Sequence, residues 1–470
     1  MFKGIHMLGF GAFLVLGLLV GISQPFGPAL SGQGHYIIMM LLVTIGLWIF
    51  KPRGIPFSVS SALFMASLLA IGLPAATVFS GFTSSAVWSL IPALFFGFVL
   101  AKTGLGKRIA YLGMKSTKLS YAGILFMWAV IGLVLSALTP SITVRVVIVI
   151  PIALNCVNIC KLPERSKGRS LILLTAWAMA VIPGTGWLTG SLAGPILSGF
   201  YTSVPKLGPI AFNDWARVQF LPAMLISTLT VIGGYFVLKP SEPLKLTKEV
   251  FNEEYKKLGS MNQQEIFTSI VLVGAFLLFL TNSLHHIPDA ATCLVGWFLL
   301  SAAGIIKANE ISTGISWDLV IFIGTAMGFG AVFAQSGVSK WMASIIVPAL
   351  APISGSPWIF VYSVLLVMFI WRFVDIAAFI PTLAIISAIT PQISESYGIN
   401  PLVWIGLLCI PLNAFFMSYQ NMFALVGEAN MGGKGWNAKH FAQFGTVYFI
   451  ASMISMIVII PYWISIGMFK

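Results

Sequence analysis

The sequence predicts an all-α, polytopic membrane protein, and three observations support that prediction. Of the 470 residues, 58% are hydrophobic and only 8% are charged, and the mean hydropathy is +0.97. Soluble globular proteins contain about 25% charged residues, so this chain has too few charges to cover a solvated surface. Apolar runs that could cross a bilayer as helices recur along the whole chain. A soluble enzyme and a disordered chain are both excluded.

The apolar runs predict the helices in chain order. The first run follows Lys3 and has no small-residue cleavage site after it, so it is expected to be a retained helix rather than a signal peptide. Two pairs of runs are predicted to be arms of re-entrant hairpins, and the whole set predicts about 11 transmembrane helices. The predicted spans are 7–23, 36–50, 57–73, 86–101, the arms 121–139 and 142–160, 170–200, 217–238, 264–284, 290–306, 318–335, the arms 357–379 and 382–395, 401–428 and 444–467.

Glycine and proline interrupt three of these runs near their middle. The interruptions are Leu138-Thr139-Pro140-Ser141, Pro183-Gly184-Thr185-Gly186 and Ile380-Pro381-Thr382. Irregular backbone at membrane depth is tolerated only where it is buried in protein or lines a wet cavity. In secondary transporters such breaks mark the substrate site. A proline kink in an ordinary helix is the alternative for any single break, but three breaks in related positions favour a transporter.

An internal repeat relates these breaks to one another. The segment 101–107 corresponds to 334–340. Further on, Pro140-Ser141-Ile142-Thr143 followed by Pro151 corresponds to Ile380-Pro381-Thr382-Leu383 followed by Pro391. Each half is therefore predicted to contain one re-entrant hairpin and one broken helix. The predicted units are 1–118 (first scaffold helices), 119–200 (first hairpin and broken helix, a transport domain), 201–238 (closing helix), 239–263 (cytoplasmic linker), 264–350 (second scaffold helices), 351–432 (second hairpin and broken helix, a transport domain) and 433–470 (C-terminal helix).

The distribution of charge predicts the topology. If the N-terminus is cytoplasmic and the two hairpins enter from opposite sides, most of the 26 basic residues fall on cytoplasmic segments. That is the positive-inside pattern of membrane proteins, and it requires the two halves to be inverted. The net charge of +13 is thus explained by topology, and a nucleic-acid partner is not expected. The predicted location is the cytoplasmic (inner) membrane, with many passes.

Arg145 lies just past the first hairpin tip in an apolar segment. An arginine at membrane depth costs about 3 kcal/mol, so it needs an anionic partner. A substrate carboxylate could accept two parallel hydrogen bonds from its guanidinium. The alternative is a structural ion pair with Asp375 or Glu428, and both arrangements could occur in different states.

The other ionisable residues near membrane depth have structural alternatives. Arg372 and Asp375 are three residues apart and could neutralise each other on a helix, although Asp375 is also a candidate for a proton or substrate site. Glu428 is expected near the inner interface. His285 and His286, beside Pro288-Asp289, are expected in a solvated loop at the outer boundary.

The sequence contains none of the usual enzyme or motor motifs. It has no phosphate-binding Gly-Lys-Ser/Thr loop, so ATP-driven transport is not predicted. The four cysteines (Cys156, Cys160, Cys293 and Cys409) lie in or beside apolar runs and suggest neither a disulfide nor a zinc framework. No cofactor is predicted.

Three local motifs carry a resemblance to a known family. Ser141-Ile142-Thr143, followed by Pro151, lies at the first tip, with Val144-Arg145 after it; Gly184-Thr185-Gly186 continues to Gly190-Ser191. These segments resemble the Ser-Asn-Thr tip, its Ser-Asn-Thr-Ala-Arg extension and the Gly-Thr-Gly-x-x-x-Gly-Thr/Ser loop of the divalent-anion/sodium symporter family. That family carries dicarboxylates, citrate or sulfate, and the arginine resembles its organic-anion exchangers. The chain departs from the pattern at Ile142 and at the second tip, which is Pro381-Thr382-Leu383 or, in another register, Asp375-Ile376-Ala377.

The resemblance implies an elevator-type homodimer of inverted-repeat protomers. Sodium, where it is carried, is expected near Ser141, Gly184 and Gly186, whereas Asp375 and Arg145 are candidates for coupling. The predicted substrate-binding residues are Ser141, Ile142, Thr143, Arg145, Gly184, Thr185, Gly186, Thr189, Pro381, Thr382, Gln420 and Asn421.

The predicted function is secondary transport of a small organic anion of the di- or tricarboxylate class. A fixed cation at Arg145 makes exchange the more natural mechanism, because a fixed charge cannot be released to reset the empty carrier. The alternatives are sodium-coupled anion symport, an anion channel and transport of a zwitterion. The expected partners are the anion, the lipid bilayer and a second copy of the chain.

Overall fold

Helices form the framework of the protein. The structure is a computed structural model that describes residues 2–118, 120–204, 207–244, 248–373, 375 and 379–469, and no strand occurs among them. The fold is all-α, as predicted.

The first half contains eleven α-helices in the described part of the chain. They are α1 (Phe2–Ser23), α2 (Gly32–Phe50), α3 (Phe57–Ala70), α4 (Ala75–Val78), α5 (Ser85–Lys102), α6 (Leu105–Lys115), α7 (Tyr121–Leu138), α8 (Ile142–Ile159), α9 (Lys167–Val181), α10 (Ala193–Ser203) and α11 (Phe212–Val237).

The described part of the linker contains one helix, and the second half follows it. These helices are α12 (Lys248–Lys257), α13 (Gln263–Leu280), α14 (Asn282–His285), α15 (Asp289–Ala302), α16 (Trp317–Met327), α17 (Phe329–Ser336), α18 (Val338–Ser354), α19 (Pro357–Trp371), α20 (Ile380–Tyr397), α21 (Val403–Leu412), α22 (Met422–Met431) and α23 (Ala438–Ser465). Among the described residues, nine helical stretches are long and apolar enough to cross a membrane.

The packing of the helices confirms the internal repeat. In the first hairpin α7 packs against α9 and α8 against α22; in the second, α19 packs against α21 and α20 against α10. Each hairpin therefore contacts the broken helices of both halves. Around them α5 packs against α15, α16 against α3, and α11 against α23, in the same reciprocal manner.

The repeat is also visible in the backbone at two glycines. Gly104 precedes α6 with φ +83°, and Gly337 precedes α18 with φ +75°. This left-handed conformation is readily adopted by glycine. Both glycines join an apolar helix to an amphipathic one that leads to a hairpin, which places the matched segments 101–107 and 334–340 at equivalent points of the fold.

The second hairpin differs from the prediction in one respect. Its first arm ends at Trp371 rather than 379, and its second arm begins at Ile380. Pro381 and Thr382 therefore lie in the first helical turn of α20 and not at the tip. Proline is accommodated in the first turn of a helix because no intrahelical acceptor is needed for its missing N–H.

Two further differences concern helices. The predicted span 318–335 is two helices that meet at Gly328, and the amphipathic helices α6 and α18 were not among the predicted spans. A search for apolar runs does not detect helices that have a polar face.

Candidate functional site

The first hairpin tip is an extended turn followed by a capped helix. Thr139 and Ser141 both have extended backbone, and the Ser141 hydroxyl accepts a hydrogen bond from the Val144 N–H at 3.4 Å. Pro140 disfavours helical conformation in the residue before it, which ends α7. An ideal Cβ on Gly97 of α5 would lie 2.7 Å from the Thr139 hydroxyl, so α5 packs closely against this tip.

Arg145 lies in the first turn of α8 and is completely buried. Its Nη1 donates to the Thr139 carbonyl at 3.3 Å, whereas Nε and Nη2 are buried without a hydrogen-bond partner. Within the described residues no carboxylate forms an ion pair with it. The structural alternative, an ion pair with Asp375 or Glu428, is therefore wrong for this conformation.

The first helix break faces this guanidinium. Between α9 and α10 the chain forms a 3-10 turn at Ile182–Gly186 and then an irregular segment. An ideal Cβ on Gly184 would lie 2.5 Å from Nη2 of Arg145 and would also collide with the Gly190 carbonyl. Only glycine allows the backbone to approach this closely.

Two hydroxyls flank Gly190 in the same segment. Thr189 and Ser191 are buried, and their side-chain oxygens have no hydrogen-bond partner. We define the candidate anion site as Arg145, Gly184, Thr189 and Ser191. Ser191 was part of the motif recognised in the sequence but was not one of the predicted binding residues.

Thr185 and Gly186 point elsewhere. The Thr185 carbonyl accepts from Trp215 Nε1 at 2.9 Å, and its hydroxyl donates to the Ile182 carbonyl. Asn413 Nδ2 lies 3.5 Å from the Thr185 hydroxyl, so the two broken helices meet here. Gly186 packs against α11. These predicted residues join the break to neighbouring helices in this conformation.

A second buried arginine lies at the second hairpin. Arg372 caps the end of α19 and donates to the carbonyls of Asp375 and Gln420. Asp375 Oδ2 accepts from the Thr382 hydroxyl, which in turn accepts from Trp371 Nε1 at 2.9 Å. The predicted helical Arg372–Asp375 arrangement is therefore replaced by a contact to the main chain. Both nitrogens at the end of the Arg372 guanidinium have acceptors, unlike those of Arg145.

The second helix break is held by its own side chains. Gln420 Oε1 accepts from the N–H groups of Phe416 and Met417, and Asn421 caps α22 by accepting from Phe423. Glu428 accepts from Ser418 and from Trp436 Nε1.

The remaining predicted residues occupy different environments. Ile142 is buried, whereas the Thr143 side chain is exposed. The alternative tip residues Ile376 and Ala377 and the side chain of Pro381 lie outside the described part of the structure.

The comparison with known proteins settles the family. A family described as "Sodium:sulfate symporter transmembrane region" matches residues 9–469. The chain belongs to this family. This match confirms the resemblance to the family that the sequence motifs indicate.

Individual relatives agree with this assignment. The chain is 23% identical to "Dicarboxylate transporter 1, chloroplastic" of Spinacia oleracea, over 90% of this chain and 81% of that protein. It is 25% identical to "Inner membrane protein YbhI" of Escherichia coli (strain K12), over 72% of this chain and 73% of that protein. The chain is a multi-pass membrane transporter of anions and not an enzyme.

A solved structure supports the fold. The crystal structure of the Alcanivorax borkumensis YdaH transporter, whose topology was described as unusual, matches with a TM-score of 0.55 and 14% identity. The match covers 90% of this chain and 98% of that one. At this identity the likeness concerns the architecture alone.

Proposed function

We propose that this protein exchanges small organic anions of the di- or tricarboxylate class across the cytoplasmic membrane. The observation that supports the proposal is the state of Arg145, which is wholly buried with two guanidinium nitrogens lacking acceptors. A buried cation without a partner is strongly destabilising. A substrate carboxylate that accepts from Nε and Nη2 would remove this penalty in the loaded carrier.

The neighbouring groups suit the same anion. The unpartnered hydroxyls of Thr189 and Ser191 can each donate a hydrogen bond. Gly184 leaves room for the guanidinium beside the broken backbone. The site thus combines one cation with small donors, which is chemistry for a carboxylate.

Exchange follows from the fixed position of the charge. Sodium was expected near Ser141, Gly184 and Gly186, but the Arg145 guanidinium lies against Gly184 and would repel a second cation there. The empty carrier keeps its buried charge, so its return is favoured by a counter-anion. We further propose an elevator motion of the two hairpins and broken helices within a homodimer. The sodium named in the family description makes sodium-coupled symport the competing mechanism.

The test is counterflow in proteoliposomes with labelled dicarboxylates and tricarboxylates, with and without sodium. We expect saturable uptake that requires an internal anion and ignores sodium. Arg145→Lys should lower uptake at least tenfold, because an ammonium cannot form the paired hydrogen bonds. Arg217→Lys is the matched control, since Arg217 is exposed and its guanidinium donates to the Ile466 carbonyl.

Other outcomes point to the alternatives. Uptake driven by a sodium gradient into empty vesicles would identify a symporter. Flux without saturation or counterflow would identify a channel. Normal uptake by Arg145→Lys would remove the proposed role of the guanidinium.

A further inference from the structure

A narrow cleft separates the first hairpin tip from three helices of the surrounding layer. Pro140 and Thr189 form one wall, and Phe96 of α5, Phe276 of α13 and Cys293 of α15 form the other. Pro140 directly follows Thr139, whose carbonyl accepts from Arg145. The cleft therefore adjoins the candidate anion site.

Asp289 does not line this cleft itself, but it is close to Cys293, which does. It is the first residue of α15 and lies one helical turn before Cys293, so the two side chains share a face of the helix. It precedes the predicted apolar span 290–306, which places its carboxyl group at the end of that span. Its Oδ1 is buried and has no hydrogen-bond partner. Neither the family motifs nor the proposed exchange explain this carboxylate.

The charged groups around Asp289 leave it largely uncompensated. His285 of α14 acts electrostatically on Asp289, but both of its ring nitrogens contact the main chain: Nδ1 accepts from the Ile287 N–H, and Nε2 lies 2.9 Å from the Leu278 carbonyl. On the packed helices α13 and α5, Glu265 and Lys102 lie at the opposite end and pair with Arg108 and Glu310. Asp214 and Arg217, at the start of α11, are exposed.

We propose that Asp289 is a proton-binding gate on the anion pathway. Its ionised carboxylate repels anions that reach the cleft, and its protonated form admits them to the hairpin tip. The gate regulates access whether transport proceeds by exchange or with sodium.

Burial supports titration in an accessible range. It raises the pKa of the Asp289 carboxyl group to about 6, although His285 acts in the opposite direction. The group is then neutral below this pH and charged above it. Anion entry is accordingly fast in acid and slows as the pH rises through about 6.

The experiment compares initial uptake of one labelled dicarboxylate by the wild type and by Asp289→Asn. The pH is equal on both sides of the membrane and is varied from 5 to 8. The ratio of the two rates cancels the titration of the substrate itself. We expect a ratio near one at pH 5 that rises to roughly tenfold in favour of Asp289→Asn at pH 8.

Three further variants keep the result decisive. Asp289→Glu should retain the pH dependence of the wild type, and Asp289→Ser should reproduce Asp289→Asn if the amide folds poorly. Asp214→Asn, which removes an exposed carboxylate, should have no effect. A ratio that stays constant from pH 5 to pH 8 in both neutral variants would overturn the gate. Because any driving condition that supports uptake can be used, failure of the exchange mechanism is distinguishable from failure of the gate.

Discussion

At the scale of single residues, the backbone of Gly184 lies directly against the Arg145 guanidinium, so close that a residue with a Cβ atom would not fit there. Gly184→Ala would place a methyl group 2.5 Å from Nη2 and against the rigid Gly190 carbonyl. Overpacking of this kind costs about 1–3 kcal/mol. We expect a lower melting temperature in detergent and a loss of anion uptake, because the guanidinium must move away from the break.

Gly274 provides the matched control for this substitution. It lies within α13, and a Cβ added there would meet nothing within 4 Å. Gly274→Ala should therefore leave uptake unchanged and stabilise the helix slightly. Equal behaviour of the two alanine variants would show that the contact at Gly184 is unimportant.

Arg145 was predictable from sequence because it is an isolated charge in an apolar segment beside a break. The roles of the neighbouring residues were not predictable, because neither hydrophobic periodicity nor the spacing of motif residues shows which way the side chains of an irregular turn face. Thr185 and Gly186 face α11 and α21, whereas Thr189 and Ser191 provide the unpartnered hydroxyls. Asp289 looked like a loop residue because its burial depends on packing between α13, α14 and α15.

At the scale of elements, the linker is fixed to the helix that precedes the first hairpin. Arg108 of α6 donates to Glu265 at 2.8 and 3.0 Å, and to the carbonyls of Leu258 and Gly259. Arg108→Gln would leave these acceptors without their donor, at a cost of about 2 kcal/mol. We expect a lower melting temperature and faster proteolytic cleavage in the linker at 258–262.

Lys102→Gln is the control for that prediction. Lys102 donates to Glu310 and to the Ile305 carbonyl, so its loss removes a charged contact of the same kind without touching the linker. Its rate of cleavage in the linker should stay close to that of the wild type. Equal cleavage of the linker in the two variants would contradict the anchoring role of Arg108.

The two hairpins show why some elements are predictable and others are not. Both arms of the first hairpin, α7 and α8, match their predicted bounds within about two residues. The reason is that a proline follows α7 and a serine caps α8. The second tip has no such pair. Phe379 adopts φ +61° before α20, and a left-handed phenylalanine leaves no recognisable signal in the sequence. The sequence therefore predicts a break at Pro381, whereas the structure places this proline in the first turn of α20.

At the scale of the whole molecule, the repeat makes the two hairpins equivalent in packing but not in charge. Each hairpin holds a buried arginine beside a broken helix, yet the Arg372 guanidinium donates to two main-chain carbonyls and the Arg145 guanidinium to one. The guanidinium at the first hairpin therefore has the larger unused capacity to donate hydrogen bonds. An anion that pairs with Arg145 would occupy a site that the symmetry of the fold alone does not predict.

The proposed elevator motion can be tested at the cleft beside that site. Ala137, near the end of α7, and Cys293 of α15 line the cleft from opposite walls. We take a background in which Cys156, Cys160 and Cys409 are replaced by serine, and add Ala137→Cys. If the first hairpin must slide past α15 during transport, mercury or oxidative cross-linking of the two thiols should arrest uptake, and a reducing thiol should restore it. The same treatment should be harmless when Cys293→Ser is added, because the second thiol is then missing. Cross-linked protein that still transports would show that the hairpin and α15 move together. The moving unit of the elevator would then include α15.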